Sequence, residues 1–254
     1  YRGGDEVDEV NVGKHGPEHR RLAGGCEPLH YLAMKVIVFG PTGTAGSEAV
    51  AQSAADPRVQ EVVAVTRRPL GLASETVREI RCEDFSDLSP IAERFAGADA
   101  CFFCLGISAG QAKSDAQYRR ITHDYAMSAA RAVGTHAPGA AFQFLSGRGT
   151  NPTSWMMWAR VKGETEEDLK ALGLARLNCF RPAYIHPVEP RTGQSLGYRL
   201  MRHAYQPLRA LSKSGATTNV ELARSMLQAT IEELDGHTFE NPDVNALAAR
   251  YAAR

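Results

Sequence analysis

Residues 35–46, Lys-Val-Ile-Val-Phe-Gly-Pro-Thr-Gly-Thr-Ala-Gly, run from a short apolar strand straight into a turn with glycines at 40, 43 and 46, and a helical stretch follows to Ala55. Few folds accept that order. A strand that ends in such a turn and re-enters a helix sets backbone N–H groups and a helix N-terminus against a pyrophosphate. Gly40 then permits the turn, Gly43 permits close approach of the ligand, and Gly46 permits tight packing of helix on strand, with Thr42, Thr44 and Ala45 completing the loop. The spacing is G-x-x-G-x-x-G rather than G-x-G-x-x-G, so the surrounding elements must carry the reading.

They do so at the next strand. Glu61-Val-Val-Ala-Val-Thr66 follows after a helix-length connection and ends in Arg67-Arg68, where the adenosine ribose of a dinucleotide arrives in this arrangement. An acidic residue there would hydrogen-bond a ribose 2′-hydroxyl, whereas guanidinium groups match a 2′-phosphate. The pair of arginines points to NADP(H) over NAD(H).

A chain of 254 residues, 43% of them hydrophobic, is long enough for one α/β domain with a substantial core. Its formal net charge of zero gives no basis for a nucleic-acid surface. No apolar run approaches the roughly 20 residues that cross a bilayer, and no signal-peptide pattern is present, so a soluble, cytoplasmic protein is expected. Cys101-Phe-Phe-Cys104 reads as C-x-x-C but lies in a strand, where residues three apart face opposite ways, so these are expected to be core cysteines. No metal site is expected. Residues 1–33 are Gly-rich, charged and aperiodic, and are expected to be a disordered extension ahead of a domain spanning 34–254.

Within that domain strands and helices alternate. Val77–Arg81, Ala100–Cys104, Ala141–Leu145 and Leu174–Phe180 read as the third to sixth strands. Ser89–Phe95, Ser114–Val133 and Ser154–Leu172 read as helices, with Tyr118, Ile121, Tyr125 and Ala129 on one apolar face of the second. The expected fold is α/β, a Rossmann-like doubly wound parallel sheet with a small C-terminal cap, and a substrate or cap region around 183–215.

Taken together, Val36-Ile-Val-Phe-Gly-Pro-Thr-Gly-Thr-Ala-Gly46, Thr66-Arg-Arg68, Phe102-Phe-Cys-Leu-Gly106, Leu145-Ser-Gly147, Met157-Trp-Ala-Arg-Val-Lys-Gly-Glu164 and Phe180-Arg-Pro182 resemble the short-chain dehydrogenase/reductase superfamily. The resemblance is to its atypical branch of epimerase-like NAD(P)-binding proteins and, more distantly, to the Tat-interacting reductase-like proteins. It implies that Asp84 and Phe85 flank the adenine, that Leu105 and Gly106 line the adenosine side, that Lys162 reaches the nicotinamide ribose, and that Pro182 lies in the turn beside the nicotinamide.

The resemblance also exposes a break. Hydride-transferring members carry a Tyr four residues before that Lys, as general acid and base, and here the position is Trp158. An indole N–H donates a hydrogen bond but does not titrate usefully. Ser146 stands where the family has its catalytic Ser, with Gly147 the alternative alignment, and Thr122 stands in place of the Asn that completes the set.

Three readings remain open. One is an oxidoreductase or epimerase-like enzyme on a small-molecule substrate, in which His123, Tyr125, Arg148, Tyr184 or His186 replaces the Tyr. Another is a non-catalytic NADP(H) sensor. The third is a membrane-surface role for residues 192–214, which mix Leu196, Leu200, Tyr205, Leu208 and Leu211 with Arg199, Arg202, Arg209 and Lys213; a substrate lid or packed helix pair is the better account of that stretch. Trp155, Met156, Met157 and Trp158 form an apolar group, of which the core is expected to take two and a pocket for an apolar or planar ligand the rest. The oligomeric state is left open.

Overall fold

A computed structural model of the chain describes residues 33–72, 74–188 and 216–253. The expected N-terminal extension, the basic stretch at 192–214 and the part of the cap between 189 and 215 lie outside the described residues.

Seven parallel strands form one sheet in the order β3-β2-β1-β4-β5-β6-β9. They are β1 (Met34–Phe39), β2 (Val59–Thr66), β3 (Val77–Arg81), β4 (Ala100–Phe103), β5 (Ala141–Leu145), β6 (Arg176–Arg181) and β9 (Thr238–Glu240). The order reverses at β1, so a crevice opens where the carboxyl ends of β1 and β4 diverge. Two further strands, β7 (Tyr184–His186) and β8 (Ala216–Thr218), pair with each other in a small separate sheet.

The inner strands are apolar on both faces because both faces are covered. Ile37, Phe39, Val63, Val65, Phe103, Phe142 and Phe144 face one layer of core, while Val36, Val38, Val62, Ala64, Phe102 and Phe180 face the other. On the first side lie α3 (Tyr125–His136) and α4 (Met157–Ala171); on the second lie α1 (Thr44–Ala55), α5 (Asn219–Ile231) and α6 (Asn241–Ala252). Cys101 and Cys104 fall in opposite layers, both buried and free, and burial pushes the Cys104 thiol up to about 12.

Three departures from expectation have local causes. The helix expected over 89–95 is a single 3-10 turn, Ala92–Phe95, because Pro90 and Gly97 bracket the segment. The helix expected from Ser114 does start there, with the Ser114 hydroxyl accepting from Gln117 N–H, but α2 (Asp115–Arg119) passes through a π turn, Arg120–Asp124, before α3. The third lies beyond Thr218, where β9 extends the main sheet and α5 and α6 join α1 in the second layer. The capping box Thr218–Glu221 that starts α5 is readable in sequence, whereas the three residues of β9 are too few to show periodicity.

Candidate functional site

The glycine turn is built by contact. Gly40 has φ +78°, and a Cβ there would lie 2.8 Å from the Leu105 Cα and N, so the backbones leaving β1 and β4 touch at the switch point. A Cβ on Gly46 would lie 2.1 Å from the Gly40 carbonyl oxygen, and one on Gly43 3.2 Å from the same atom. The Gly43 N–H donates to that oxygen at 2.9 Å. Helix α1 follows with no side-chain cap and no acidic residue in its first turn, so its amide end stays open to an anion. Ala45 and Gly46 are buried beneath the loop, Thr42 is exposed on it, and the Asn219 amide donates to the Thr44 carbonyl at 3.4 Å. Gly106 is exposed beside Leu105 with nothing near its missing Cβ.

At the end of β2, Arg67 and Arg68 are exposed, and neither guanidinium has an ion-pair partner among the described residues. The Thr66 hydroxyl donates to the Arg68 carbonyl at 2.9 Å and pins the turn. Asp84 is exposed; its carboxylate accepts from the Ser86 N–H at 2.9 Å, which holds it below the usual range, and Arg120 lies 3.5 Å away. Phe85 corrects an expectation. It is 2% exposed and packs between Phe39 and Tyr125, with ring centroids 6.1 and 5.5 Å away, so only its backbone remains for a ligand.

The other half of the site forms where β5 meets α4. Helix α4 approaches closely because Gly163 has no side chain: a Cβ there would sit 2.3 Å from the Pro152 nitrogen. Lys162 is half-buried, and its Nζ donates to the carbonyls of Leu145 at 3.0 Å and Ser146 at 2.9 Å. Burial lowers its ammonium pKa to about 8, partly opposed by the charge of Glu166. Trp158 packs toward the loop after β5, its ring 3.7 Å from where a Gly149 Cβ would be. Ser146 is 5% exposed, and its hydroxyl lies 3.0 Å from that of Thr150, which donates to the Gly147 carbonyl at 2.7 Å. With the Thr150 proton so placed, Ser146 is the donor between the two hydroxyls.

The loop also joins β6, since the Arg148 N–H donates to the Pro182 carbonyl at 3.0 Å. Ser146, Trp158, Lys162 and Pro182 therefore border one region. Among the described residues no hydrogen bond joins Thr122 to them: it is 4% exposed on the π turn and hydrogen-bonds the Tyr118 phenol, whose pKa burial raises. Arg181 is a scaffold group, bidentate on the buried Glu166 at 3.0 and 2.5 Å and 3.3 Å from Glu240.

Among the residues expected to stand in for Tyr, His123 is held by both ring nitrogens, 2.7 Å from Asp124 and 2.8 Å from Asp168. Tyr125 packs under Phe85 and the Arg120 guanidinium. Tyr184 and His186 sit on β7, which begins just beyond Pro182. The apolar group at the start of α4 departs from its expected half-burial in the core: Trp155 is 88% exposed, and Met156, Met157 and Trp158 are half-buried. The Trp155 backbone is fixed, with Arg160 donating to the Ser154 carbonyl at 2.9 Å and Ser154 Oγ accepting from Met156 N–H at 3.1 Å. Sequence reasoning misses Thr150, Asn219 and Gly163, whose roles depend on contacts between distant segments.

No protein-family model matches the chain. Solved structures do. An oxidoreductase of the short-chain dehydrogenase/reductase family from Burkholderia thailandensis superposes with a TM-score of 0.61 at 13% identity, covering 87% of this chain and 98% of that one. Gre2 from Candida albicans, solved in complex with NADPH, superposes with a TM-score of 0.64 at 12% identity, covering 82% and 78%. In sequence, rat protein HTATIP2 is 30% identical over 153 residues, which is 59% of this chain and 62% of the rat protein. The chain has the fold of these short-chain dehydrogenase/reductase structures and is similar in sequence to part of HTATIP2. It spans under two thirds of the rat relative's length, and a further relative, the mitochondrial protein FMP52 of Candida albicans, is 26% identical over 67% of this chain and 71% of its own. Among the described residues no helix is long and apolar enough to cross a membrane.

Proposed function

We propose that the chain binds NADP(H) and acts as an oxidoreductase or epimerase-like enzyme on a small, partly apolar substrate, without the Tyr general acid usual in its superfamily. The observation that carries this is the glycine cradle. The missing Cβ atoms of Gly40, Gly43 and Gly46, the open amide end of α1 and the unpaired Arg67 and Arg68 together suit a pyrophosphate and a ribose 2′-phosphate. Gre2, of the same fold, was solved with NADPH. A bound nicotinamide would supply or accept the hydride. Lys162 would hold its ribose hydroxyls with the N–H that the two carbonyls leave unused, and Gly106, Leu105 and the backbone at Asp84–Phe85 would border its adenosine. A site bounded by Trp155, Met156 and Trp158 favours an apolar or planar carbonyl compound over a bare sugar.

The test is oxidation of NADPH by the full chain against a panel of aldehydes, ketones and enones. Steady turnover with any member supports the enzyme. The second reading, an NADP(H) sensor, is favoured by one feature: the Ser146 proton is directed into Thr150 and Trp158 supplies no titrating group. Tight nucleotide binding with no turnover across the panel would select it. For location we propose a reducing compartment, cytoplasmic or mitochondrial, which the free buried Cys82, Cys101, Cys104 and Cys179 support.

A further inference from the structure

The register of β2 and β3 brings a third arginine to the end where Arg67 and Arg68 stand. Thr66, the last residue of β2, pairs with Arg81, the last of β3, and the Cys82 N–H closes the ladder on the Thr66 carbonyl at 3.0 Å. Side chains paired in register share a face of the sheet. Two residues back on each strand, Ala64 lies in the core layer beneath α1, so Thr66 and Arg81 face the glycine-loop side of the sheet. Arg81 is exposed, and its guanidinium, like those of Arg67 and Arg68, has no hydrogen-bond or ion-pair partner among the described residues.

Three of the neighbouring carboxylates have partners of their own. Glu79, on the same face of β3, accepts from the Leu70 N–H at 2.8 Å, and Asp84 accepts from Ser86 with Arg120 beside it. Glu61 pairs with Arg78 at 2.9 Å and with Lys35 at 3.4 Å. Arg78, the other basic side chain of these two strands, therefore has a partner, while the guanidiniums of Arg67, Arg68 and Arg81 have none among the described residues. Guanidinium forks match a phosphate monoester in charge and in geometry.

We propose that Arg81 is a third ligand of a ribose 2′-phosphate, acting with Arg67 and Arg68 as a half-site that recognises the phosphate monoester separately from the pyrophosphate cradle. The proposal rests on the NADP(H) reading above and adds to it a residue that no motif at the end of β2 marks.

The test is titration calorimetry of adenosine 2′,5′-bisphosphate, adenosine 3′,5′-bisphosphate and 5′-AMP into the full chain and into Arg81→Ala, Arg81→Lys and the Arg67→Ala/Arg68→Ala pair, with thermal melts confirming folding. Wild-type protein binds the 2′,5′ compound in preference to the other two. Arg81→Ala weakens that compound by about tenfold, as loss of one charge-assisted contact implies, and leaves 5′-AMP within about twofold. Arg81→Lys recovers only part of the loss. Unchanged 2′,5′ binding in Arg81→Ala, with loss in the Arg67/Arg68 pair, overturns the role of Arg81 and leaves the NADP(H) reading standing. No preference among the three ligands in the wild type overturns both.

Discussion

The two ends of the site, the β1–α1 turn and the β5–α4 junction, are built to opposite plans. At the first, backbone donors face outward: the α1 amide end has no side-chain cap, the glycines carry no Cβ over it, and the guanidiniums of Arg67 and Arg68 have no ion-pair partner among the described residues. At the second, donors face inward. Lys162 donates to two carbonyls, Thr150 to the Gly147 carbonyl, and Ser146 to Thr150. A nucleotide bound at the first would complete unsatisfied groups, whereas a substrate oxygen at the second would compete with bonds already made. On the proposed reading the first end is where nucleotide binding would be kept, and the second is where Trp158 would replace the usual proton-transfer group.

The largest expected effect breaks the first plan. In Gly46→Ala the new Cβ must displace the Gly40 carbonyl, so the turn and the start of α1 both move, at a cost of about 3 kcal/mol. Nucleotide affinity should fall more than about a hundredfold, and calorimetry beside thermal melting separates the two consequences. An alanine variant that binds as wild type would show that the cradle is not the site.

Trp158→Tyr attacks the second plan by restoring a phenol four residues before Lys162. If the missing acid is what limits the site, kcat should rise by about a hundredfold with a carbonyl substrate, while NADPH affinity stays within about threefold. Stopped-flow absorbance of NADPH reads the first quantity and calorimetry the second. A Tyr variant no faster than wild type would mean that the loop after β5, with Ser146 turned to Thr150, limits the reaction instead.

A smaller effect concerns Lys162 itself. Burial lowers its folded-state pKa to about 8 from an ordinary 10.5, so the charged ammonium is a cost fully present below pH 8 and relieved as pH rises through 8 toward 10.5. Wild-type stability should therefore gain relative to Lys162→Met between about pH 7.5 and pH 9.5, by about 3 °C in Tm. A flat difference over that window would place the ammonium in solvent.

The sequence makes the first end legible and leaves the second half hidden, for a physical reason. Gly40, Gly43, Gly46, Arg67 and Arg68 act through local backbone and their place in a strand–turn–helix unit, and such features are written in consecutive residues. Strands β1, β4 and β5 are apolar on both faces and stand out for the same reason. The β5–α4 junction depends on contacts between segments: Gly163 against Pro152, Thr150 under Ser146, Arg148 onto Pro182. Phe85 shows the same limit, because its position beside Asp84 places it at the adenine end while tertiary packing draws its ring into the core. Arg81 ends a half-exposed edge strand with a weak pattern, and only the register with β2 brings it beside Thr66. Trp155 runs against composition entirely, a large apolar side chain on a fixed backbone left in solvent.

The central claim is that the nucleotide end is intact and selects a 2′-phosphate. Titration calorimetry of NADPH and NADH into the wild-type chain and the Arg67→Ala/Arg68→Ala variant tests it most directly. The account predicts NADPH bound at least about tenfold more tightly than NADH, with that preference lost in the variant and NADH binding little changed. Equal affinity for the two nucleotides, or binding of neither, would contradict it.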